Sequence, residues 1–279
     1  MTTVYRTMTR ADLDVAVDWA AREGWNPGLA DAERFYNTDP GGFFMAFRDG
    51  KPVGAISAVK YGETFGFIGF FIVTPGLRGG LIGVKLGKMA LAYLAGRTIG
   101  IDGVLNKVKN YKFFGFSYAY NNARYEGTAL EFARQNGIVD LNAVSHSEIV
   151  RYDSEFFPEP RASFILDWIK QPGGAALGIL ENGKLSAMGV ARKCRTGYKI
   201  GPLFAENADY ADRLFQALVS RMEPGRPYYL DIPEINANAE ALVNRYGLKK
   251  VFATARMYKN GAPDLPLVKI FGITSFELG

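Results

Sequence analysis

The two halves of this chain carry the same landmarks at the same spacing, and that repeat limits what the chain can fold into. Arg48-Asp49-Gly50-Lys51-Pro52 stands between two strand-like runs, as Glu181-Asn182-Gly183-Lys184-Leu185 does in the second half. Toward the end of each half, a Gly followed by a bulky apolar residue precedes an arginine nine positions after that Gly: Gly115-Phe116 with Arg124, and Gly247-Leu248 with Arg256. Each arginine follows an Ala and is closely followed by Tyr, at Tyr125 and Tyr258. Such spacing implies one supersecondary plan used twice. At 279 residues, the chain is long enough for two domains of about 140 residues. The join falls between about Gly127 and His146, so residues 1–135 and 136–279 are expected to form the two domains.

Within the first half, Thr9 to Glu23 opens with a polar cap and sets Leu13, Val17 and Ala20 on one face, the pattern of an amphipathic helix. Phe43 to Phe47 and Val53 to Tyr61 are apolar runs joined by Asp49-Gly50, which supplies the positive φ of a tight hairpin. Phe65 to Val73 is apolar on both faces and therefore central to a sheet. A glycine loop, Thr74 to Gly83, then precedes a helical pattern from Val84 to Ala95, and a strand follows over Ile99 to Leu105. The expected class is α+β: two domains, each a mostly antiparallel central sheet flanked by helices.

The loop Arg78-Gly79-Gly80-Leu81-Ile82-Gly83 carries the first chemical signal. A turn that exposes backbone N–H groups and opens a helix suits a phosphate, because unpaired donors and the positive end of the helix dipole converge there. The loop lacks the Gly-Lys-Ser/Thr of a Walker loop, and it follows several antiparallel strands rather than the first strand of a dinucleotide fold. At the matching place the second half reads Gly201 to Tyr210, with Glu206 and Asp209. An acidic loop repels an anion, so only the first half is expected to hold one.

This order of elements, from about Val4 to Gly127, resembles the GNAT superfamily of acyl-CoA-dependent N-acyltransferases. Arg78 and Gly83 match the first and last positions of the family's Arg/Gln-x-x-Gly-x-Gly/Ala loop, while Leu81 stands where the middle glycine belongs. The arrangement as a whole resembles two-domain GNAT proteins with a degenerate second copy lacking the pyrophosphate loop. The resemblance implies acetyl-CoA as cosubstrate, held by the main chain of Phe71, Ile72 and Val73 and by Arg78 to Gly83. In that family the segment after the first strand helps line the acceptor pocket, which implies Trp25, Asn26 and Tyr36 here, with ordinary packing the alternative for Trp25 and Tyr36. The cleft between the halves is the expected place for the amine acceptor, since domain interfaces favour ligand sites.

Amide formation from a thioester needs a neutral amine and a proton for the departing thiolate. GNAT enzymes often use as donor a tyrosine four residues before a Gly-Phe pair. Tyr111 stands there before Gly115-Phe116, whereas Val243 holds the place before Gly247. Tyr111 can equally pack its helix against the sheet. The family's strand glutamate is missing from Gly69-Phe70-Phe71-Ile72-Val73, which leaves Asp102 and Asp231 as candidate bases, or as structural hydrogen-bonding residues, or a water chain in their place. His146, in Ser145-His146-Ser147, reads as part of a polar linker, and Cys194 as a structural thiol.

Composition narrows the partners. A single Cys and a single His exclude a disulfide framework and leave no cluster for a metal. The net charge of +5 is dispersed without a nucleic-acid-binding motif, and it can help gather an anionic cosubstrate. The opening Met1-Thr2-Thr3-Val4-Tyr5-Arg6 has no apolar leader core, and the longest apolar run, Gly66 to Val73, is too short to cross a bilayer. A cytoplasmic enzyme is expected, with no membrane partner. Acceptor identity, small molecule or peptide, and oligomeric state stay open. So does a second reading, a non-catalytic acyl-CoA-binding or sensory protein.

Overall fold

A computed structural model describes residues 2–279; Met1 of the opening stretch lies outside the described residues. The first half runs β1 (Thr3–Thr7), α1 (Arg10–Arg22), α2 (Asp31–Thr38), β2 (Phe43–Arg48), β3 (Lys51–Tyr61), β4 (Phe65–Val73), α3 (Leu81–Tyr93), β5 (Thr98–Val104), α4 (Val108–Phe113) and β6 (Ser117–Thr128). The second runs β7 (Ile138–Asp140), α5 (His146–Asp153), α6 (Ala162–Trp168), β8 (Ala175–Glu181), β9 (Lys184–Lys193), β10 (Tyr198–Ala205), α7 (Ala208–Val219), β11 (Pro227–Pro233), α8 (Ala237–Arg245), β12 (Lys249–Lys259) and β13 (Ile270–Gly272).

Local chemistry sets these elements as expected. Thr9 caps α1 in a reciprocal box with Asp12, worth about 1 kcal/mol. Asp49 and Gly50 turn β2 into β3 with φ of 50° and 78°, and Asn182 and Gly183 turn β8 into β9 with 49° and 77°, the left-handed pair of a type I′ turn. Ser145-His146-Ser147 differs from the linker expected there. Ser145 caps α5 through Glu148 N–H, and His146 is the helix's first residue, because a hydroxyl before a periodic run supplies a helix start.

The two halves share one mixed, mainly antiparallel sheet of thirteen strands among the described residues, with main order β1-β2-β3-β4-β5-β12-β6-β11-β10-β9-β8-β7. This order is a palindrome with its centre between β12 and β6, and the last long strand of each half has crossed into the other half's sheet. Thus β12 pairs antiparallel with β5, and β6 with β11. The repeated arginines lock this exchange. Arg256 on β12 reaches Asp102 on β5 through Nε–Oδ1 at 3.0 Å and Nη2–Oδ2 at 2.6 Å. Arg124 on β6 reaches Asp231 on β11 with both contacts at 2.7 Å. All four side chains are buried. Two parallel N–H···O bonds to a carboxylate are the strong form of this pair.

The apolar core lies on both faces of the sheet. The largest cluster spans the halves, packing Phe35, Phe43 and Phe70 with Trp168, Phe204 and Phe276. It encloses the chain's C-terminal segment: Tyr61 Oη donates to Leu278 O at 2.9 Å, and Arg161 Nη1 to Gly279 O at 3.3 Å. No helix among the described residues is long and apolar enough to cross a membrane.

Candidate active site

The site begins where two parallel strands part. β4 and β5 pair only from Phe65–Thr98 to Ile68–Ile101. Beyond Ile68, β4 bulges: Phe70 takes φ 45°, the register with β3 shifts between Ala55 and Ser57, and Gly69 N–H bonds to Ser57 Oγ at 3.1 Å. A bulge bends its strand and re-aims the residues beyond it. The wedge so opened is a cavity of about 690 Å³, walled by Phe71, Ile72 and Val73 on β4, by α3, by Tyr111 on α4, and by Phe252 and Ala253 of the exchanged β12. Past Ile68, the edge of β4 that faces β5 has no strand partner, which leaves its main-chain groups free for an extended ligand arm. The carbonyl of Val73 is the exception, since Arg78 Nε donates to it at 2.9 Å.

At one end of the cavity stand Arg78, Gly79, Gly80 and Gly83. Gly80 is the N-cap of α3, with no side-chain cap and no acidic residue in the first turn, so the helix's leading N–H groups keep their bonding capacity. Arg78 is half exposed and pairs with Glu23, which shares this rim. Leu81 points outward, 74% exposed, while Ile82 is buried beneath α3. Neither side chain walls the cavity, so only the backbone N–H groups of these two residues are available to it. Gly87 and Val84 extend the wall along α3. Their helical spacing from Gly83 and Gly80 is the signal that could have found them.

A second recess of about 80 Å³ adjoins the first and shares with it the walls of Trp25, Phe71, Tyr111 and Phe252. Tyr111 is seated by Gly103, where a Cβ would stand 2.3 Å from the tyrosine ring. Burial pushes the Tyr111 phenol above its ordinary pKa, against a backbone hydrogen bond with Val104. The phenol therefore carries its proton at neutral pH and can donate it.

The other expected residues divide. Trp25 walls both cavities. Asn26 walls neither; its side chain bonds the backbone of Thr196, at 2.8 Å to the carbonyl and 2.9 Å from the N–H. It pins the Trp25 loop to the second half, helped by Leu29 N–H to Lys193 O at 2.9 Å. Tyr36 also lies off both cavities, packed against Phe43. Asp102 borders the recess, but both of its oxygens are bonded to Arg256, and Asn122 Nδ2 adds a bond at 2.7 Å. Asp231 borders neither cavity. Burial alone would raise its pKa, yet the charge and hydrogen bond of Arg124, with Lys199 and Arg192, hold it below the ordinary carboxyl value. A carboxylate whose two oxygens are both bonded to a guanidinium has little capacity left to accept a proton from a substrate. Cys194 is buried, and burial pushes its thiol up despite the nearby Lys199 and Arg192.

The recess also holds residues that the sequence reading missed. Phe252 and Thr254 arrive on the exchanged strand, and Phe276 and Glu277 on the C-terminal segment. Glu277 is 4% exposed, and its Oε2 has no hydrogen-bond partner among the described residues. Among the described residues there is no group of three or more His, Cys, Asp or Glu side chains that could hold a metal ion.

A parted β4/β5 pair beside an uncapped glycine-rich helix start, in one of two copies of the same strand-and-helix plan joined in one sheet, defines the class. The acetyltransferase (GNAT) family model matches residues 11–116, and an acetyltransferase (GNAT) domain model matches residues 149–272. The chain is 31% identical over 264 residues to the holothin acyltransferase of Pseudoalteromonas sp. (strain SANK 73390), covering 94% of this chain and 90% of the relative. It superposes on a Pyrococcus horikoshii protein with a provisional acetyltransferase assignment at TM-score 0.85, with 22% identity, covering 99% and 96% of the two chains. It also superposes on a tandem GNAT protein from the clavulanic acid biosynthesis pathway at TM-score 0.62, with 14% identity, covering 94% and 100%. The two superpositions show the fold alone. The chain belongs to the GNAT family as a tandem protein, and it is an acyltransferase.

Proposed function

We propose that this enzyme transfers an acetyl group from acetyl-CoA to a primary amine held in the recess between the two halves. The observation that carries this reading is the position of Tyr111, whose side chain walls both the long cavity and the recess. A donor there can meet a ligand entering from either side.

Residues 1–135 form the cofactor-binding domain in this reading, and 136–279 the copy without a pyrophosphate loop. The uncapped start of α3, with Gly79, Gly80, Gly83 and Arg78, suits a pyrophosphate. The free edge at Phe71 and the Val73 N–H suits an amide-bearing arm, the main chain of Ile72 being paired with Ala55 on β3. Acetyl-CoA supplies an activated thioester carbonyl. Tyr111 holds the proton that a departing thiolate requires. Trp25, Phe252 and Phe276 exclude water from the acceptor, and Asn26 positions Trp25. The small volume and aromatic walls of the recess support a compact amine over a peptide, so holothin, named for the relative, is the first acceptor to assay. The setting is expected to be the cytoplasm.

Release of free CoA thiol, followed with acetyl-CoA and a panel of small amines, tests the proposal. Tyr111→Phe is expected to lower kcat by about 100-fold or more while leaving acetyl-CoA affinity unchanged. A variant with full kcat would remove Tyr111 from the chemistry.

A further inference from the structure

β4 bears no carboxylate, and Asp102, the aspartate that borders the recess, is consumed by the strand exchange, as Asp231 is at the mirror pair. Glu277 differs from both. It borders the same recess as Tyr111, Trp25 and Phe71, it is nine-tenths buried, and one of its oxygens has no partner. A buried carboxylate oxygen without a donor is costly, so it calls for a partner, whether an ordered water, an ion or a ligand proton. Glu277 is the one carboxylate with such an oxygen among the described residues, and it borders the recess.

The backbone is arranged to bring it there. At Gly69, on the β4 bulge, a Cβ would stand 2.0 Å from the carbonyl oxygen of Glu277. The strand that lacks a carboxylate thus has a glycine where the C-terminal segment crosses it. Upstream, β13 pairs antiparallel with β10, and Ile273 N–H bonds Asp231 O at 2.8 Å. The segment is therefore anchored on both sides of Glu277, by β13 before it and by the Tyr61–Leu278 bond after it. Phe276 packs beneath it against Phe252 and the Arg124 guanidinium.

We infer that Glu277 is the proton acceptor of the acyl transfer, a base supplied by the C-terminal segment to a site whose own strand has none; this rests on the reading of the cleft as an acyltransferase site. The amine nitrogen forms the bond to the thioester carbonyl carbon, and one of its protons passes to the Glu277 carboxylate. The carbon–sulfur bond breaks, and the thiolate leaves with the Tyr111 proton. Proton exchange with water then restores both groups. Three buried cations, Arg124 on β6, Arg192 on β9 and Lys199 on β10, feel the Glu277 charge. Asp231 on β11 offsets Arg124, Asp31 on α2 offsets Arg192, and Cys194 on the loop after β9 faces the same three cations. Tyr111 and Asp102, the latter paired with Arg256, are the other titratable groups that line the recess. Lys199 donates to Trp25 O at 3.0 Å, and burial lowers its pKa.

The test is Glu277→Gln, with acetyl-CoA binding measured by calorimetry and kcat measured across pH. The expected result is unchanged acetyl-CoA affinity, a kcat lower by about 100-fold or more near neutrality, and loss of the acid limb of the pH profile. A folded variant that keeps its rate and its acid limb overturns the inference. Glu277→Asp retains the charge if the glutamine variant does not fold. It should lose kcat at least several-fold and keep the acid limb, and full activity in it would also overturn the assignment. A native protein that binds no acetyl-CoA would instead sink the underlying reading of the cleft, so the two failures are distinguishable.

Discussion

β4 and β10 occupy equivalent places in the two halves, and each starts the same way. β4 runs parallel to β5 over Phe65–Ile68, and β10 runs parallel to β11 over Tyr198–Ile200. Both then leave their partners. In the first half the gap is the 690 Å³ cavity. In the second, β13 fills it, with Leu203 opposite Gly272 and Phe204 opposite Ile270. The helices that follow differ in the same sense. α3 starts at an uncapped Gly80, whereas α7 starts at Asn207, whose side chain accepts from Tyr210 N–H, and has Asp209 in its first turn. A splayed strand pair creates unpaired backbone, and that backbone must find a partner. The second half finds it within the chain, and the first leaves it available to a ligand. The segment that closes the second gap then delivers Glu277 to the first.

Breaking the symmetric locks between the halves should have the largest effect. Arg124→Met strands Asp231 as a buried unpaired charge, a loss of about 3–5 kcal/mol. It should appear as a large fall in denaturation midpoint, with Asp102→Asn behaving alike at the mirror pair. A midpoint near that of the native protein would mean that the exchange is held by backbone pairing alone.

Acid should expose the same locks more gently. The folded Asp231 pKa lies below its unfolded value, so its contribution is fully present above the ordinary carboxyl pKa of about 3.9. It is lost as pH falls below that toward the folded value. Unfolding followed by near-ultraviolet dichroism between pH 5 and pH 2, ranges set by that reference value of about 4, should show stability falling with pH. In Arg124→Met this part of the slope should be absent.

The smallest effect tests the helix starts. Asn207→Ala should cost about 1 kcal/mol of stability and leave acetyl-CoA affinity unchanged. A change in affinity would link the second helix terminus to the ligand.

Much of this was legible in the sequence because it rests on local chemistry. Asp49-Gly50 and Asn182-Gly183 each specify their hairpin, the Thr9 box starts α1, and the spacing of Gly115 from Arg124 and Gly247 from Arg256 exposes the repeat. The glycine loop and Tyr111 were visible for the same reason. What could not be read is partnership across the sheet. Nothing local to Arg256 says that it will meet Asp102 rather than Asp231, so two carboxylates that looked available are bound in ion pairs. Asn26 and Tyr36 share a segment with Trp25, but only Trp25 reaches the cavities. Glu277 escaped notice because its burial depends on a glycine more than two hundred residues earlier in the chain.

Calorimetric titration of acetyl-CoA against the native protein and Gly80→Asp tests the difference between the two clefts most directly. The native chain is expected to bind one acetyl-CoA, and a carboxylate at the start of α3 is expected to abolish that binding in a protein that still folds. Two binding sites per chain, or one site untouched by Gly80→Asp, would contradict the assignment of an open first cleft and a closed second one.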